Sequence, residues 1–413
     1  ARASRTAPMS RPHASPPARV SLPVLQGDGE SSASGGRSRR IRRSRASRWR
    51  AIVLIAVHVV IVGHLVKWLV LGGETLSPVE PSESMEFVKH GVVNAGLVFF
   101  ALALLSTLLL GRWFCGWGCH VVALQDLCAA MLKRVGIRPR PFRSRLLVYV
   151  PFVLALYMFV WPAVYRWGVV PITQTVAWIP DLQTPSPFAI SFELVREDFW
   201  STFPGVLVAI PFLLVCGFGC VYFLGAKGFC TYGCPYGGFF APLDQFSPGR
   251  IRVNEDCDHS GHCTAVCSSN VRVHEEVAAY GMVVDPGCMK CMDCVSVCPN
   301  NALSFGFAKP PALAKTPRDP ARVPVRKYDL SWPDEIAFAG VFLGSFLAVR
   351  GVYQLIPMLF AVGIAACVTF VAWKAWRVLR SPNASFHRWR LRFHGRTTRA
   401  GAIFVGFAAL TLL

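Results

Sequence analysis

Unbroken apolar runs of about twenty residues recur along the chain, and short polar blocks separate them. The runs cover about 51–71, 91–111, 146–167, 203–224, 335–350 and 354–376, with a further one starting at 401. An α-helix rises ~1.5 Å per residue and the hydrocarbon core of a bilayer is ~30 Å thick, so roughly twenty apolar residues predict one crossing. Six spans follow. The stretch from 401 to Leu413 is too short to cross and reads as an incomplete span. The run 335–350 is marginal and places Arg350 at an interface or in a pair. One long section breaks the pattern: residues 244–308 are polar, and a Pro-rich stretch, 309–333, follows them.

The domain plan is therefore a disordered basic arm over 1–50, a four-helix membrane domain over 51–243, an inserted section over 244–308, a linker over 309–333 and C-terminal membrane helices over 334–413. The arm is rich in Arg, Ser, Pro and Gly and lacks apolar periodicity. The run after it is long enough to span and has no small-residue cleavage pattern, which argues against a signal peptide. The first residue is Ala, so the chain is expected to be a fragment.

Composition agrees with the pattern. Hydrophobic residues make up 53% and charged ones 16%, and mean hydropathy is +0.42, which excludes an ordinary soluble enzyme. Lys and Arg number 43 against 23 Asp and Glu, a net charge of +20. The basic blocks flank the apolar runs: the arm, Lys133–Arg145 and Arg377–Arg399. They mark the cytoplasmic side, and the loops 72–90 and 168–201 fall on the other. Anionic lipid accounts for this charge, with no nucleic acid partner. The section 244–308 is thus expected on the cytoplasmic face of a bacterial inner membrane.

Chemistry is carried by cysteine, of which there are fifteen. Cys288, Cys291, Cys294 and Cys298, followed by Pro299, form C-x2-C-x2-C-x3-C-P, the spacing of bacterial iron–sulfur ferredoxins. Zinc sites set their C-x2-C halves farther apart. An internal repeat appears at an offset of thirty-one residues: Cys257 matches Cys288, Cys263 matches Cys294 and Cys267 matches Cys298. Ser260 stands opposite Cys291, so the first copy lacks one thiolate. In the crossed ligation of two-cluster ferredoxins, Cys267 joins Cys288, Cys291 and Cys294 around a [4Fe–4S] cluster, and Cys298 joins Cys257 and Cys263. The three-thiolate set leaves a [3Fe–4S] cluster, a cube completed by Ser260, His259, His262 or Asp258, or no second cluster. The predicted fold is a multi-span α-helical membrane protein with an inserted α+β bacterial-type two-cluster ferredoxin domain.

Two more pairs follow the second and fourth runs, in Phe114-Cys115-Gly-Trp-Gly-Cys119-His120 and Phe229-Cys230-Thr-Tyr-Gly-Cys234-Pro235. On a helix, i and i+4 put both sulfurs on one face. Four such thiolates suffice for a third, membrane-surface cluster. A redox-active thiol site and small residues packed between helices are the alternatives. Cys216 and Cys220, inside the fourth run, suit packing, and Cys128 and Cys367 stand alone. His58, His64 and His90 are polar groups at or near membrane depth, either haem or quinone contacts or ordinary hydrogen-bonding groups.

The combination FCGWGC…LQDL, FCTYGCPYGGFFAPLDQ and a ferredoxin module resembles the NapH-, NosR- and CcoG-type membrane polyferredoxins over about residues 50–308. His120 stands where that pattern has Pro, and Ser260 where it has Cys. The resemblance implies an electron-transfer component rather than an independent catalyst. It would relay electrons between a cytoplasmic donor or the quinone pool and a redox partner protein or respiratory complex subunit. A metal-centre maturation factor, reducing copper or thiols for oxidase assembly, and a redox sensor are the rivals. The helices after the ferredoxin section favour electron transfer, since assembly-type members carry a soluble domain there.

Overall fold

The computed structural model describes residues 43–137, 144–175, 185–196, 205–313, 328, 330–352, 358–386 and 389–412. Most of the expected arm and linker fall outside them, as does the side chain of Cys216. Four described helices are long and apolar enough to cross a membrane: Arg45–Leu71, Leu146–Gln174, Trp332–Arg350 and Phe360–Arg380. Ala95–Leu110, Ala209–Leu224 and Arg399–Thr411 are apolar but shorter.

The first helix begins before the arm was expected to end. Ser44 caps it, its Oγ accepting from Ser47 N at 3.0 Å, and the helix runs on from Arg45. The boundary at 50 is therefore too late: Arg50 is buried, and burial pins this polar stretch into helix.

The second run forms a sixteen-residue helix that starts late, at the Asn94 cap, and the fourth is helical with π turns over Val206–Leu224. Gly111 (φ 72°) and Gly225 (φ 97°) adopt left-handed backbone and stop each helix. Sixteen residues in Ala95–Leu110 rise only about 24 Å. The third run departs from regular α-helix. Pro151, Pro162 and Pro171 each lack an amide hydrogen, and π turns occupy Leu156–Val160 and Tyr165–Val169.

The loops expected on one face meet each other. Thr75–Leu76 pairs antiparallel with Val195–Arg196, and Val92–Val93 pairs parallel with Ser191–Phe192. At the C-terminal end, Trp332–Val352 packs against Met358–Arg380. A three-stranded meander over 384–397 then leads into Arg399–Leu412.

The polar section holds strand Gly249–Val253, antiparallel to Leu303–Phe307 along its whole length. Val283 N donates to Ile251 O at 2.9 Å and brings a third extended stretch alongside. Ile251, Val271, Val273, Val277, Val283 and Leu303 fill the core beneath them together with Cys294. The thirty-one-residue repeat is preserved in the backbone. His259, Gly261 and Asn270 have φ of 52°, 74° and 59°, and their counterparts Lys290, Met292 and Asn301 have 48°, 61° and 53°. Helix His262–Ala265 likewise matches Asp293–Val297.

This section is fastened to the first span. Arg50 pairs with Asp293 at 2.6 Å and with Asp126 at 3.0 Å. Ser44 Oγ donates to Asp293 Oδ1 at 2.6 Å.

Candidate iron–sulfur site

The two membrane motifs are built alike. Arg112 caps helix Trp113–Trp117 and Lys227 caps Gly228–Tyr232, each three residues before a cysteine. Each helix ends on a glycine beneath its own phenylalanine. A Cβ on Gly118 would lie 2.9 Å from the Phe114 ring, and one on Gly233 3.1 Å from Phe229. The helices stop at Trp117 and Tyr232, so Cys119 and Cys234 lie just past their ends. This corrects the expected i, i+4 face: glycine terminates the turn before the second cysteine.

The structure nevertheless brings all four thiols together. Cys115, Cys119, Cys230 and Cys234 share one core with Phe100, Phe114, Phe229 and Phe240. Burial pushes the Cys119 thiol up to about 12, with further upward pressure from Cys115 and Cys234. Burial likewise raises Cys234 to about 11 and lifts Cys230 well above the usual range. Reactive cysteines need the opposite, a depressed pKa.

The surrounding charge suits an anionic cluster. Lys227 is fully buried, and among the described residues its Nζ has no hydrogen-bond partner; the Cys230 sulfur lies within its field. Arg112, 2% exposed, donates to Cys230 O at 3.3 Å, and its guanidinium also reaches the Cys115 sulfur. A buried unpaired ammonium is costly unless an anion faces it. Among the described residues no three His, Cys, Asp or Glu side chains converge on a point fit for one metal ion. A cube spreads its ligands over four irons and needs no such convergence.

In the polar section Cys267 lies within electrostatic reach of Cys288 and Cys291, and Cys294 within reach of all three. These four thiols wall a small cavity with Ile251 and Val273. Left-handed residues recur along this loop at Lys290 and Met292, a backbone pattern of the kind that forms anion-binding nests. Burial drives the Cys267, Cys288 and Cys294 thiols upward.

The first copy keeps the loop but presents different groups. Cys263 senses Cys257, and burial raises it to about 11. Cys298 Sγ accepts from Ala302 N at 3.3 Å. Ser260 is exposed and bound to Asp258, its amide donating to Oδ1 at 3.2 Å. His259 Nδ1 lies 3.9 Å from Cys257 Sγ. His259 is thus a candidate substitute ligand within contact distance of a thiol of this set.

The two cysteine groups abut. Trp117 Nε1 donates to Lys290 O at 2.9 Å, and Arg112 Nη1 donates to Pro286 O at 2.8 Å. A cavity of about 460 Å³ lies alongside, lined by Tyr149, Phe152 and Pro242 and by Arg112, Ser269 and Arg272. Sequence reasoning missed the buried charges: Asp244 and Arg250 beside the motifs, and Arg112, Lys227 and Lys290 within or next to them. A basic residue three places before each first cysteine was the available signal.

The remaining candidates have ordinary surroundings. His58 Nδ1 is 2.7 Å from Leu54 O, His64 Nε2 is 2.7 Å from Thr75 Oγ1, and His90 lies 3.9 Å from Glu86. His120 lies 3.6 Å from Glu80. Gly217 and Gly219 make room for Cys128 and Cys367, an added Cβ lying 2.9 and 3.7 Å from their sulfurs. Cys220 is buried in the same helix.

The chain matches a 4Fe–4S binding domain family over residues 94–138 and 204–254, which contain Cys115, Cys119, Cys230 and Cys234. It is 26% identical to YccM of Escherichia coli over 232 residues, 54% of this chain and 58% of that protein. It is 25% identical to the methylamine utilization ferredoxin-type protein MauN of Methylorubrum extorquens over 245 residues, 54% of this chain and 76% of that one. The ferredoxin-type protein NapH of Haemophilus influenzae is 25% identical over 220 residues, 52% of this chain and 67% of its own. No solved structure matches. The apolar helices are compatible with membrane spans, and the 4Fe–4S binding match falls on the motifs that follow two of the apolar runs. The chain is thus similar to NapH- and MauN-type ferredoxin-like proteins over about half its length.

Proposed function

We propose that the chain is a fixed relay of three cysteine-held centres. Cys115, Cys119, Cys230 and Cys234 hold a [4Fe–4S] cluster at the membrane surface, and Cys267, Cys288, Cys291 and Cys294 hold a second. Cys257, Cys263 and Cys298 hold a third, either [3Fe–4S] or a cube completed by His259 or Ser260. Such clusters supply one-electron chemistry. The protein's part is to fix their positions, exclude water and set the surrounding charge.

One observation carries this reading: the Trp117–Lys290 and Arg112–Pro286 hydrogen bonds join the first two groups directly. Electrons would enter or leave through the exposed Cys257 loop, at a soluble donor, and exchange with a respiratory partner or the quinone pool at the membrane. The 460 Å³ cavity, lined by both apolar and polar side chains, favours a quinone ring there. The basic flanks and the contact between Ser44, Arg50 and Asp293 support an inner-membrane protein with the polar section on the cytoplasmic side.

Anaerobic purification with iron and sulfide counts, and EPR of oxidised and reduced protein, tests the reading. Three centres are expected. Folded protein without iron overturns it.

A further inference from the structure

Between the two abutting cysteine groups lies a charge network that ligation alone does not require. Asp244, fully buried, accepts from Lys290 Nζ at 2.8 Å on Oδ1 and from Arg250 Nη1 at 2.8 Å on Oδ2. Its Oδ1 also accepts from the amide of Arg112 at 3.0 Å, and the Arg112 guanidinium feels its charge. Arg112, Arg250 and Lys290 are all at most 2% exposed. Three buried cations thus surround one carboxylate.

Each end of the network touches a different cysteine group. Arg112 precedes Cys115 by three residues and reaches its sulfur. Lys290 lies between Cys288 and Cys291, its Nζ 3.4 Å from Cys288 O. Gly111 completes the arrangement: an added Cβ would stand 2.6 Å from both Asp244 Oδ1 and Lys290 Cε. The helix stop at Gly111 is what lets the network close.

We infer that Asp244 is a positioning residue shared by both centres, whose single negative charge sets their reduction potentials together and keeps them matched. The inference rests on the relay reading above. The physical reason is that a charge in a dry, low-dielectric region acts over the distance to both groups, whereas an exposed charge is screened. When an electron leaves one centre it enters the other. No bond forms or breaks and no proton moves, so the transfer depends on how closely the two levels agree.

The test is a redox titration followed by EPR on cluster-loaded protein, with signals assigned from Cys230→Ala and Cys291→Ala. Asp244→Asn keeps the shape and removes the charge. Both potentials should rise, each by at least a tenfold change in the oxidised-to-reduced ratio at fixed potential, about 59 mV for one electron. Lys290→Gln, a second variant in case the first fails to fold, removes a positive charge. It should lower both potentials, the Cys291-dependent one more. A folded, loaded Asp244→Asn protein with neither potential moved, or only one, overturns the inference and leaves the relay standing. Wild-type protein with no Cys230-dependent centre overturns both.

Discussion

Gly116 of the first membrane motif lies so close to Met289 of the ferredoxin loop that any side chain at this position would strike the Met289 carbonyl oxygen. Backbone meets backbone where the two cysteine groups join. Gly116→Ala should therefore push the groups apart while leaving every cysteine in place. Iron content should stay at the wild-type level and electron exchange between the two centres should slow, as read by freeze-quench EPR after rapid reduction. Unchanged exchange in the fully loaded variant would count against this path.

The two groups should load independently. Cys230→Ala and Cys291→Ala should each remove one cube, about four irons per chain, and leave the other spectrum intact. Loss of all iron from either variant, in protein that is still folded, would show one shared site.

The incomplete repeat gives a sharper spectroscopic expectation. Ser260→Cys restores the ligand missing at the match to Cys291, so an oxidised-state [3Fe–4S] signal should vanish and iron content should rise. His259→Ala should leave that signal unchanged if the centre is [3Fe–4S], and should abolish the centre if His259 is its fourth ligand. EPR of the two variants side by side decides between them.

Removal of metal should expose the buried cations. With the clusters stripped by chelator under reducing conditions, the buried Lys227 Nζ is left with no hydrogen-bond partner among the described residues. The stripped protein should melt at a lower temperature than the loaded one, and Lys227→Met should narrow that gap by raising the stripped form. A gap of the same size in the variant would remove Lys227 from the explanation.

Much of this was legible in the sequence, and what was not has identifiable causes. The spacing of Cys288 to Cys298 and the repeat at Cys257 announced the loops, because a compact cluster loop has few alternatives. The left-handed turns at His259 and Lys290 then show the repeat in the backbone, although the side chains differ. The late start of the second helix was not foreseen, since the apolar run was read from 91 and only the Asn94 side chain, accepting from Leu97 N, sets the first turn. The convergence of Cys115 and Cys119 with Cys230 and Cys234 was anticipated as four thiols on helix faces. It arises instead from two paired turns, because Gly118 and Gly233 stop each helix first. Asp244 was invisible as a hub: nothing in LDQ distinguishes a buried carboxylate from a solvated one until Lys290 arrives from forty-six residues away.

Arg50 supplies a final expectation. It is 5% exposed and bound at once to Asp126 and Asp293. Removal of one partner from a buried pair costs roughly 3–5 kcal/mol, so Arg50→Met should lower stability by that order in denaturant titrations. The melt should begin in the ferredoxin section, as read by early loss of its cluster absorbance.

That clasp also decides what kind of carrier this can be. A ferredoxin on a loose tether would swing between stations and collect its charge by diffusion. Here Ser44 and Arg50 bolt the module's helix to the head of the first span, so it cannot roam. In the relay proposed above, any soluble partner would have to travel to it, and turnover would be paced by that visitor's arrival and departure.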